Sequence, residues 1–311
     1  MAEIKLDKEL ENVFKRLDSI DNLDSKFEEL YNGDYNNLSK EEKIKKLTHT
    51  IPYFPFREIQ TRPHKVDLFP IYRLRKNINL NNENLELTST FSYPNTVFCK
   101  TNGRANLANR AIFYSSDCPT SAFLEMDCEN DDVIYLSEWM IRCPRECRYT
   151  YFLPSNLSVS NNWSHVALRQ NALIHKAINE HYGNSVLQKV LKITDFYAKL
   201  FTSESFPYDF SSAIADYYLY ILGYDFIIYA GNKINGDQCN IAFHPNFIDD
   251  YAKLDKVSQL KVNQVGKSNS QTTLITVGEY LNNKINWRPP IKEDLPFYST
   301  PEMRATMPNN A

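Results

Sequence analysis

Strand-like and helix-like patterns occupy separate stretches of this chain. From Phe69 to Tyr149, short apolar and β-branched runs alternate with polar turns, which is typical of β-strands. These runs are LFPIYRLR, NTVFCK, RAIFYSS and DVIYLSEWMI. Residues 162–203 instead repeat apolar side chains at helical spacing, with a break near Tyr182 and Gly183, which predicts two packed helices. Because the strands and helices do not alternate as regular βαβ units, the pattern favours an α+β fold over a doubly wound sheet.

The two ends of the chain differ from this middle part. Residues 1–48 place apolar side chains at helical spacing among many charged ones, which predicts two or three amphipathic helices. The segment IPYFPF then marks a boundary, since its prolines disfavour helix. We therefore expect an N-terminal helical region of residues 1–50, a main domain of residues 51–285, and a proline-containing C-terminal arm of residues 286–311.

Capping residues and apolar runs predict further elements within the main domain. A short helix is expected after Asp117, which would cap it, with Pro119 in its first turn. The segment SSAIADYYLYILGYD predicts a helix that ends at Gly223. The runs FIIYA and CNIAF predict two strands that are joined by the polar loop GNKINGDQ.

Charge and cysteine usage narrow the classes of function. A formal net charge of -3 gives no sign of a basic surface that would bind nucleic acid or an anionic membrane. Any anionic ligand would therefore have to be bound by local arginines. No apolar run reaches the length of a membrane span, and MAEIKLDKEL lacks the core of a signal peptide, so we expect a cytoplasmic protein. The six cysteines are expected to be free and mostly buried. Cys143 and Cys147 lack a second ligand pair for zinc, so we expect no metal.

The stretch GRANLANRAIFYSSDCPTSAFLE, residues 103–125, combines three side chains that suit cleavage of NAD+. Arg104 can pair with a diphosphate, Tyr114 can offer a ring to nicotinamide, and Glu125 can stabilise positive charge on a ribose. Taken singly, each is also common as a surface ion-pair partner, a core aromatic or an exposed glutamate. Neither GxGxxG nor GxxxxGK[ST] occurs, which disfavours a glycine-rich phosphate loop.

These motifs resemble the RES domain, a family of bacterial NAD-consuming toxins that is named for Arg, Glu and Ser. The family's arginine after an aromatic residue on an early strand corresponds to Tyr72 and Arg73. Its G-R-W-N, seven further residues and a tyrosine correspond to GRAN at 103–106 and to Tyr114. Its A-x-x-E ending corresponds to AFLE, which ends at Glu125. The resemblance implies an ADP-ribosyltransferase-like core of mixed or antiparallel strands with flanking helices, preceded here by the N-terminal helices.

A later part of the chain resembles a second block of the family, a helix followed by G-[FY]-D-G-I-[IV]-Y-P-S and N-x-x-[LF]-F. Tyr229 in GYDFIIYAG and Asn240 in CNIAF fit this block, whereas the family serine falls on Gly231. Ser211 or Ser212, at the start of the preceding predicted helix, is an alternative source of the hydroxyl. The resemblance implies catalytic roles for Glu125, Tyr114 and Arg104. It implies NAD+ contacts from Arg73, Arg104, Asn106, Tyr114, Ser212, Tyr229, Gly231 and Asn240.

The function that this resemblance implies is that of an intracellular toxin or phage-defence effector. Its substrate would be NAD+, which it would deplete by hydrolysis or, with inorganic phosphate, by phosphorolysis. Two alternatives are a mono-ADP-ribosyltransferase that modifies a protein and a non-catalytic nucleotide-binding or interaction module. The N-terminal helices could dock an antitoxin, sense an activating signal or form a homo-oligomer. No membrane or nucleic-acid partner is expected.

Overall fold

The structure, a computed structural model, describes most of the chain. The described residues are 8–35, 37–53, 59–61, 69–156, 162–203, 208–231, 238–266, 270–295 and 303–307. The helices in these ranges are α1 (Lys8–Asp18), α2 (Leu23–Asn32), α3 (Lys40–Thr50), α4 (Pro119–Leu124), α5 (Asn162–Thr202), α6 (Asp209–Asp216) and α7 (Pro245–Tyr251). The strands are β1 (Ile59–Thr61), β2 (Phe69–Lys76), β3 (Phe113–Ser116), β4 (Val133–Ile141), β5 (Cys147–Phe152), β6 (Phe226–Ala230), β7 (Cys239–Phe243), β8 (Ala252–Gln264), β9 (Ser270–Leu281), β10 (Lys284–Arg288) and β11 (Met303–Thr306).

One mixed sheet contains all of these strands. Its order is β1-β5-β6-β7-β3-β2-β4-β8-β9-β10, and β11 pairs with β9. The β5–β6 and β9–β11 pairs are parallel, and the others are antiparallel. The expected α+β fold, a mixed sheet with flanking helices, is confirmed. No helix in the described ranges is both long and apolar enough to cross a membrane.

Strand pairing is almost absent between β2 and β3. Strand β2 pairs with β4 from Phe69 to Lys76, but its pairing with β3 is limited to Tyr72 and Ser116. Strand β3 instead pairs along its whole length with β7 on its other side. Beyond Tyr72, therefore, the residues of β2 have no strand partner on the β3 side, and a space opens between the two halves of the sheet.

The N-terminal helices are formed by local signals that the sequence contains. The side chain of Asn22 accepts a hydrogen bond from the backbone N–H of Ser25, 3.0 Å away, and caps α2. Ser39 and Glu42 form a reciprocal capping box at the start of α3, with hydrogen bonds of 3.2 and 2.8 Å. Such caps satisfy backbone N–H groups that a helix start leaves unpaired. The expected helices in this region are thus present.

These helices share a hydrophobic core with the rest of the fold. Leu17, Leu30 and Leu47 are fully buried in the same cluster as side chains of α5, α6 and β6. The rings of Phe27 and Phe196 stack with centroids 4.5 Å apart. Helices α1, α2 and α3 therefore share one hydrophobic core with α5, α6 and β6.

The later helices and the C-terminal strands partly match expectation. Helix α5 contains the expected break, because Gly183 has a φ of 82° that interrupts the helical backbone. Helix α6 continues into a π-helical turn, and Gly223 follows with a φ of 68°. Part of the expected C-terminal arm lies in the sheet, where the ring of Trp287 on β10 packs 6.3 Å from that of Phe91.

Two local predictions are wrong. The run NTVFCK forms a 3-10 turn at Thr96–Phe98 rather than a strand, because the side chain of Asn95 accepts a hydrogen bond from the backbone N–H of Val97 at 3.1 Å. The cap of α4 is Cys118 rather than Asp117, since the Cys118 thiol accepts the hydrogen bond from the backbone of Ser121 at 3.3 Å. All six cysteines are free, and four of them are buried, as expected.

The shared core predicts a large cost for truncating Leu47. We expect Leu47→Ala to lower the free energy of unfolding by about 2–5 kcal/mol, because the side chain is fully buried. Leu80 is 64% exposed, so Leu80→Ala should change that energy by less than about 0.5 kcal/mol. Chemical denaturation of both variants measures the difference. Equal stabilities would show that α3 adds little to the common core.

Candidate active site

A cavity lies where β2 separates from β3. Its volume is about 380 Å³, which falls within the usual range for small-molecule sites. Side chains from β2, β3, β6, β7, α4 and the loop before β3 surround it. The residues that line it are Tyr72, Arg73, Leu74, Arg75, Lys76, Arg104, Tyr114, Ser115, Ser116, Ala122, Glu125, Met126, Tyr229 and Asn240.

The lining of this cavity is strongly cationic. Four basic residues and one acidic residue, Glu125, contribute to it, although the chain as a whole has a net charge of -3. Arg75 is bonded to Glu83 at 2.6 Å, and Lys76 donates to the backbone carbonyl of Asp127 at 2.9 Å. Arg73 and Arg104 are the remaining basic residues of the lining. A local excess of positive charge in a cleft favours an anionic ligand.

Arg104 and Glu125 face each other inside the cavity. The Arg104 Nη1 lies 3.3 Å from the Glu125 Oε2, and each side chain is only 15% exposed. Burial disfavours the charge of Arg104, but Tyr229, Glu125 and Tyr208 outweigh it and raise its pKa. The predicted pair of a cation and a carboxylate is thus brought together from a loop and from the end of α4.

The loop that carries Arg104 is a tight turn that requires glycine. The backbone N–H of Gly103 donates to the carbonyl of Asn106 at 2.8 Å. A Cβ at position 103 would lie 2.4 Å from the Asn106 Oδ1 and 3.1 Å from the Tyr114 hydroxyl, so a side chain would displace both. This close approach explains why glycine precedes Arg104 in the motif.

Tyr114 holds this loop in place. Its hydroxyl accepts a hydrogen bond from the backbone N–H of Ala105 at 2.7 Å and donates one to the Asn106 Oδ1 at 2.8 Å. Burial raises the pKa of Tyr114 above its ordinary value, which keeps the hydroxyl protonated as a donor. Tyr114 lines the cavity, whereas Asn106 is not part of the lining and supports the loop instead.

Arg73 is a partly buried cation that spans the opening between β2 and β3. Its Nη1 donates to the carbonyl of Tyr114 at 2.9 Å, and its Nε donates to the carbonyl of Ser92 at 3.2 Å. Burial, together with the nearby charge of Arg75, lowers the pKa of Arg73 to about 10, so the side chain stays charged at neutral pH. Among the described residues, no carboxylate forms an ion pair with it.

The second sequence block also reaches the cavity. Asn240 accepts a hydrogen bond from the Ser116 hydroxyl at 2.6 Å, and both residues line the cavity together with Tyr229. A Cβ built on Gly231 would lie 3.4 Å from the Glu125 Oε1. The position where the family serine was expected is therefore adjacent to the carboxylate, although it carries no side chain here. Residues 232–237 of the predicted loop lie outside the described residues.

Ser212 is bonded within its own helix rather than to the cavity. Its hydroxyl donates to the backbone carbonyl of Tyr208, which precedes α6, and it is not among the lining residues. Ser211 donates to the same carbonyl at 3.5 Å. The geometry gives neither hydroxyl a direct contact with a ligand in this cavity.

Tyr208 contacts Arg104 but does not line the cavity, and no sequence motif pointed to it. Its ring lies 5.9 Å from the guanidinium carbon of Arg104, within the range of a cation–π contact. Its hydroxyl also influences the ionisation of Tyr114 and Tyr229. No motif marks this residue, because its position depends on how α6 packs rather than on spacing from Arg104.

Neither a protein-family model nor a curated protein matches this chain. In the ranges that the structure describes, no group of three or more His, Cys, Asp or Glu side chains is arranged to hold a metal ion.

The buried carboxyl of Asp117, between β3 and α4, predicts a pH-dependent stability. Burial raises its pKa to about 7, although hydrogen bonds from the backbone of Cys239 and of Asp117 oppose the shift. Because the folded state binds the proton more tightly than the unfolded state, ionisation of this group destabilises the fold as the pH rises towards 7. Asp117→Asn should therefore gain up to about 3 kcal/mol relative to the unmodified protein between pH 5 and 8.

Urea denaturation of both proteins at the two pH values measures this gain. Asp131→Asn is the matched control, since the Asp131 side chain is 81% exposed and pairs with Lys261 at the surface. A constant stability difference between Asp117→Asn and the unmodified protein at both pH values would contradict the assignment.

The positive charge of Arg73 in the cavity lining predicts a loss of anion affinity when it is removed. Arg73→Gln should weaken binding of inorganic pyrophosphate by about tenfold or more, because a hydrogen bond to a charged partner is lost. Isothermal titration calorimetry measures the dissociation constants. Arg142→Gln, on an exposed arginine just after β4, should leave them unchanged. Equal affinity of the Arg73 variant and the unmodified protein would exclude Arg73 from the anion site.

Proposed function

We propose that this chain cleaves the nicotinamide–ribose bond of NAD+. The observation that carries the proposal is the Arg104–Glu125 pair, 3.3 Å apart in a cavity whose other charged residues are all basic. Tyr114 and Tyr229 supply aromatic rings to the same cavity. The RES-like motifs support the proposal, because several of the residues that they single out line this cavity although they come from distant parts of the chain. These residues are Arg73, Arg104, Tyr114, Glu125, Tyr229 and Asn240.

Binding in the proposed reaction relies on the excess of positive charge. NAD+ carries two negative charges on its diphosphate, and planar guanidinium groups bind such oxygens through paired hydrogen bonds. Arg73 is suited to this role, because it lines the cavity, is partly buried, and none of the described carboxylates pairs with it. Arg104 is the second candidate, since its loop is fixed by Gly103 and Tyr114.

The chemical step needs a carboxylate more than a general acid. When the bond between the ribose C1′ and the nicotinamide nitrogen breaks, its electron pair goes to the nitrogen, which loses its positive charge. The ribose takes up the positive charge, and a nearby carboxylate stabilises it as in glycoside hydrolysis. Water then adds to C1′ and releases a proton, which gives ADP-ribose, whereas inorganic phosphate would give a phosphorylated product. Histidine is absent from the described lining, and this chemistry does not require it.

The proposed biological role is that of a toxin or defence effector that depletes NAD+ inside the cell. Loss of NAD+ stops redox metabolism, so such a protein would harm the cell in which it is active. A neutralising antitoxin or an activating partner would then restrain it in its own host.

The proposal predicts that Glu125 is required for nicotinamide release. Glu125→Gln should lower the rate of release from NAD+ by about 100-fold or more, because the charge that stabilises the transition state is lost. Glu129→Gln, on an exposed glutamate four residues further along the chain, should have no effect. Chromatography of the products, with and without inorganic phosphate, measures the rates and separates hydrolysis from phosphorolysis.

The same experiment distinguishes the alternatives. Transfer of labelled ADP-ribose to a protein, in place of its release into solution, would identify a mono-ADP-ribosyltransferase. Binding of NAD+ without nicotinamide release, in the absence and presence of phosphate, would contradict the enzymatic proposal and indicate a nucleotide-binding module.

A further inference from the structure

Two buried aspartates of α6 connect the N-terminal helices to the neighbourhood of the cavity. Lys43 on α3 forms an ion pair with Asp209 in the first turn of α6, and the two side chains are only 6% and 10% exposed. Lys40, one turn earlier on α3, binds Asp216 at 2.8 Å. We refer to these four residues as the α3–α6 clamp. Lysine and aspartate are rarely buried unless they are paired, so each pair fixes the relative position of the two helices.

The end of the clamp at Asp209 lies next to Tyr208, which contacts Arg104. Tyr208 directly precedes Asp209, and its carbonyl accepts hydrogen bonds from the hydroxyls of Ser211 and Ser212 and from the backbone N–H of Ser212 at 2.9 Å. The first turn of α6 thus holds Tyr208, whose ring lies 5.9 Å from the guanidinium carbon of Arg104.

The other end of the clamp reaches the loop that carries Arg104. Asp216, with a side chain only 1% exposed, also forms an ion pair with the Arg110 Nε at 3.3 Å. The guanidinium of Arg110 lies 4.5 Å from the ring centroid of Tyr220, and the Tyr220 hydroxyl donates to the carbonyl of Ala111 at 2.5 Å. Both ends of α6 therefore contact the segment from Arg104 to Ala111.

We infer that the α3–α6 clamp positions Arg104 in the cavity. Lys43 and Asp209 are positioning residues that act through Tyr208. Through this pair, helix α3 helps to fix the position of Arg104. The link to catalysis rests on the proposed function, whereas the link to the geometry of the Arg104 loop does not. The position of Arg104 would then depend on the ion pairs of α3 as well as on its packing in the apolar core.

Hydrogen–deuterium exchange of the full chain tests the positioning directly. A single change at Lys43 would leave a buried unpaired carboxylate, so the test variant is the double substitution Lys43→Met with Asp209→Asn, which removes both charges. We expect amides of Gly103–Asn106 to exchange about tenfold faster in this variant. The backbone N–H of Ala105 is a sensitive reporter, because it donates to the Tyr114 hydroxyl.

Lys46→Met is the matched control. It removes a lysine from the same helix, but Lys46 pairs with Glu29 of α2 at 2.5 Å and is 39% exposed. Exchange at Gly103–Asn106 should be unchanged in this control. Equal exchange in the double variant and the control would overturn the inference. Equally faster exchange throughout strand β4 would also overturn it, since the clamp would then affect only global stability.

Nicotinamide release provides a second readout through a double-mutant cycle. If the clamp acts through Tyr208, the clamp variant and Tyr208→Ala should each lower kcat/KM for NAD+ by about tenfold, and their combination should cost little more. Additive losses would show that the clamp and Tyr208 act separately, and would overturn the inference. If the unmodified protein releases no nicotinamide, the proposed function fails, and the exchange experiment alone still decides whether the clamp positions the loop.

Discussion

The separation of β2 from β3 is the constraint on which the site depends. If β2 and β3 were hydrogen-bonded along their whole length, their backbones would lie side by side and no cavity would remain. After the pairing of Tyr72 with Ser116, the two strands part, and the Arg73 guanidinium donates across the opening to the carbonyl of Tyr114. A hydrogen bond from a charged side chain thus takes the place of backbone pairing between the two strands. The same side chain adds a positive charge to the lining of the cavity.

The sequence predicted the central residues of the site because their spacing is tied to local structure. Arg104 follows a glycine that the turn requires, Tyr114 lies on the next strand, and Glu125 lies at the end of the short helix after it. These positions are close along the chain, so one strand and one helix suffice to bring them together. Tyr208 could not be found in this way, since its contact with Arg104 depends on how α6 packs and not on spacing along the chain.

Other features of the structure could not be predicted from residue patterns alone. A serine near the start of a helix can donate to a ligand or to its own backbone, and only the fold shows that Ser212 does the latter. The run NTVFCK has strand-like composition, but Asn95 closes a turn at its start. The long strands β8 and β9 were not predicted, although in β8 the buried Leu260 and Val262 alternate with more exposed neighbours. The class of fold was nevertheless predictable, because the strand-like and helix-like stretches are long and distinct.

The order of strands in the sheet also limits when the cavity can form. Strand β3 lies between β2 and β7, and β4 lies between β2 and β8, so strands that are adjacent in space come from distant parts of the chain. Pairings over such long separations form late in folding. During synthesis, the wall that contains Asn240 cannot close until β7 has left the ribosome, and helix α3 must wait for α6 before its buried lysines find their partners. A nascent chain that ends before this point lacks part of the cavity.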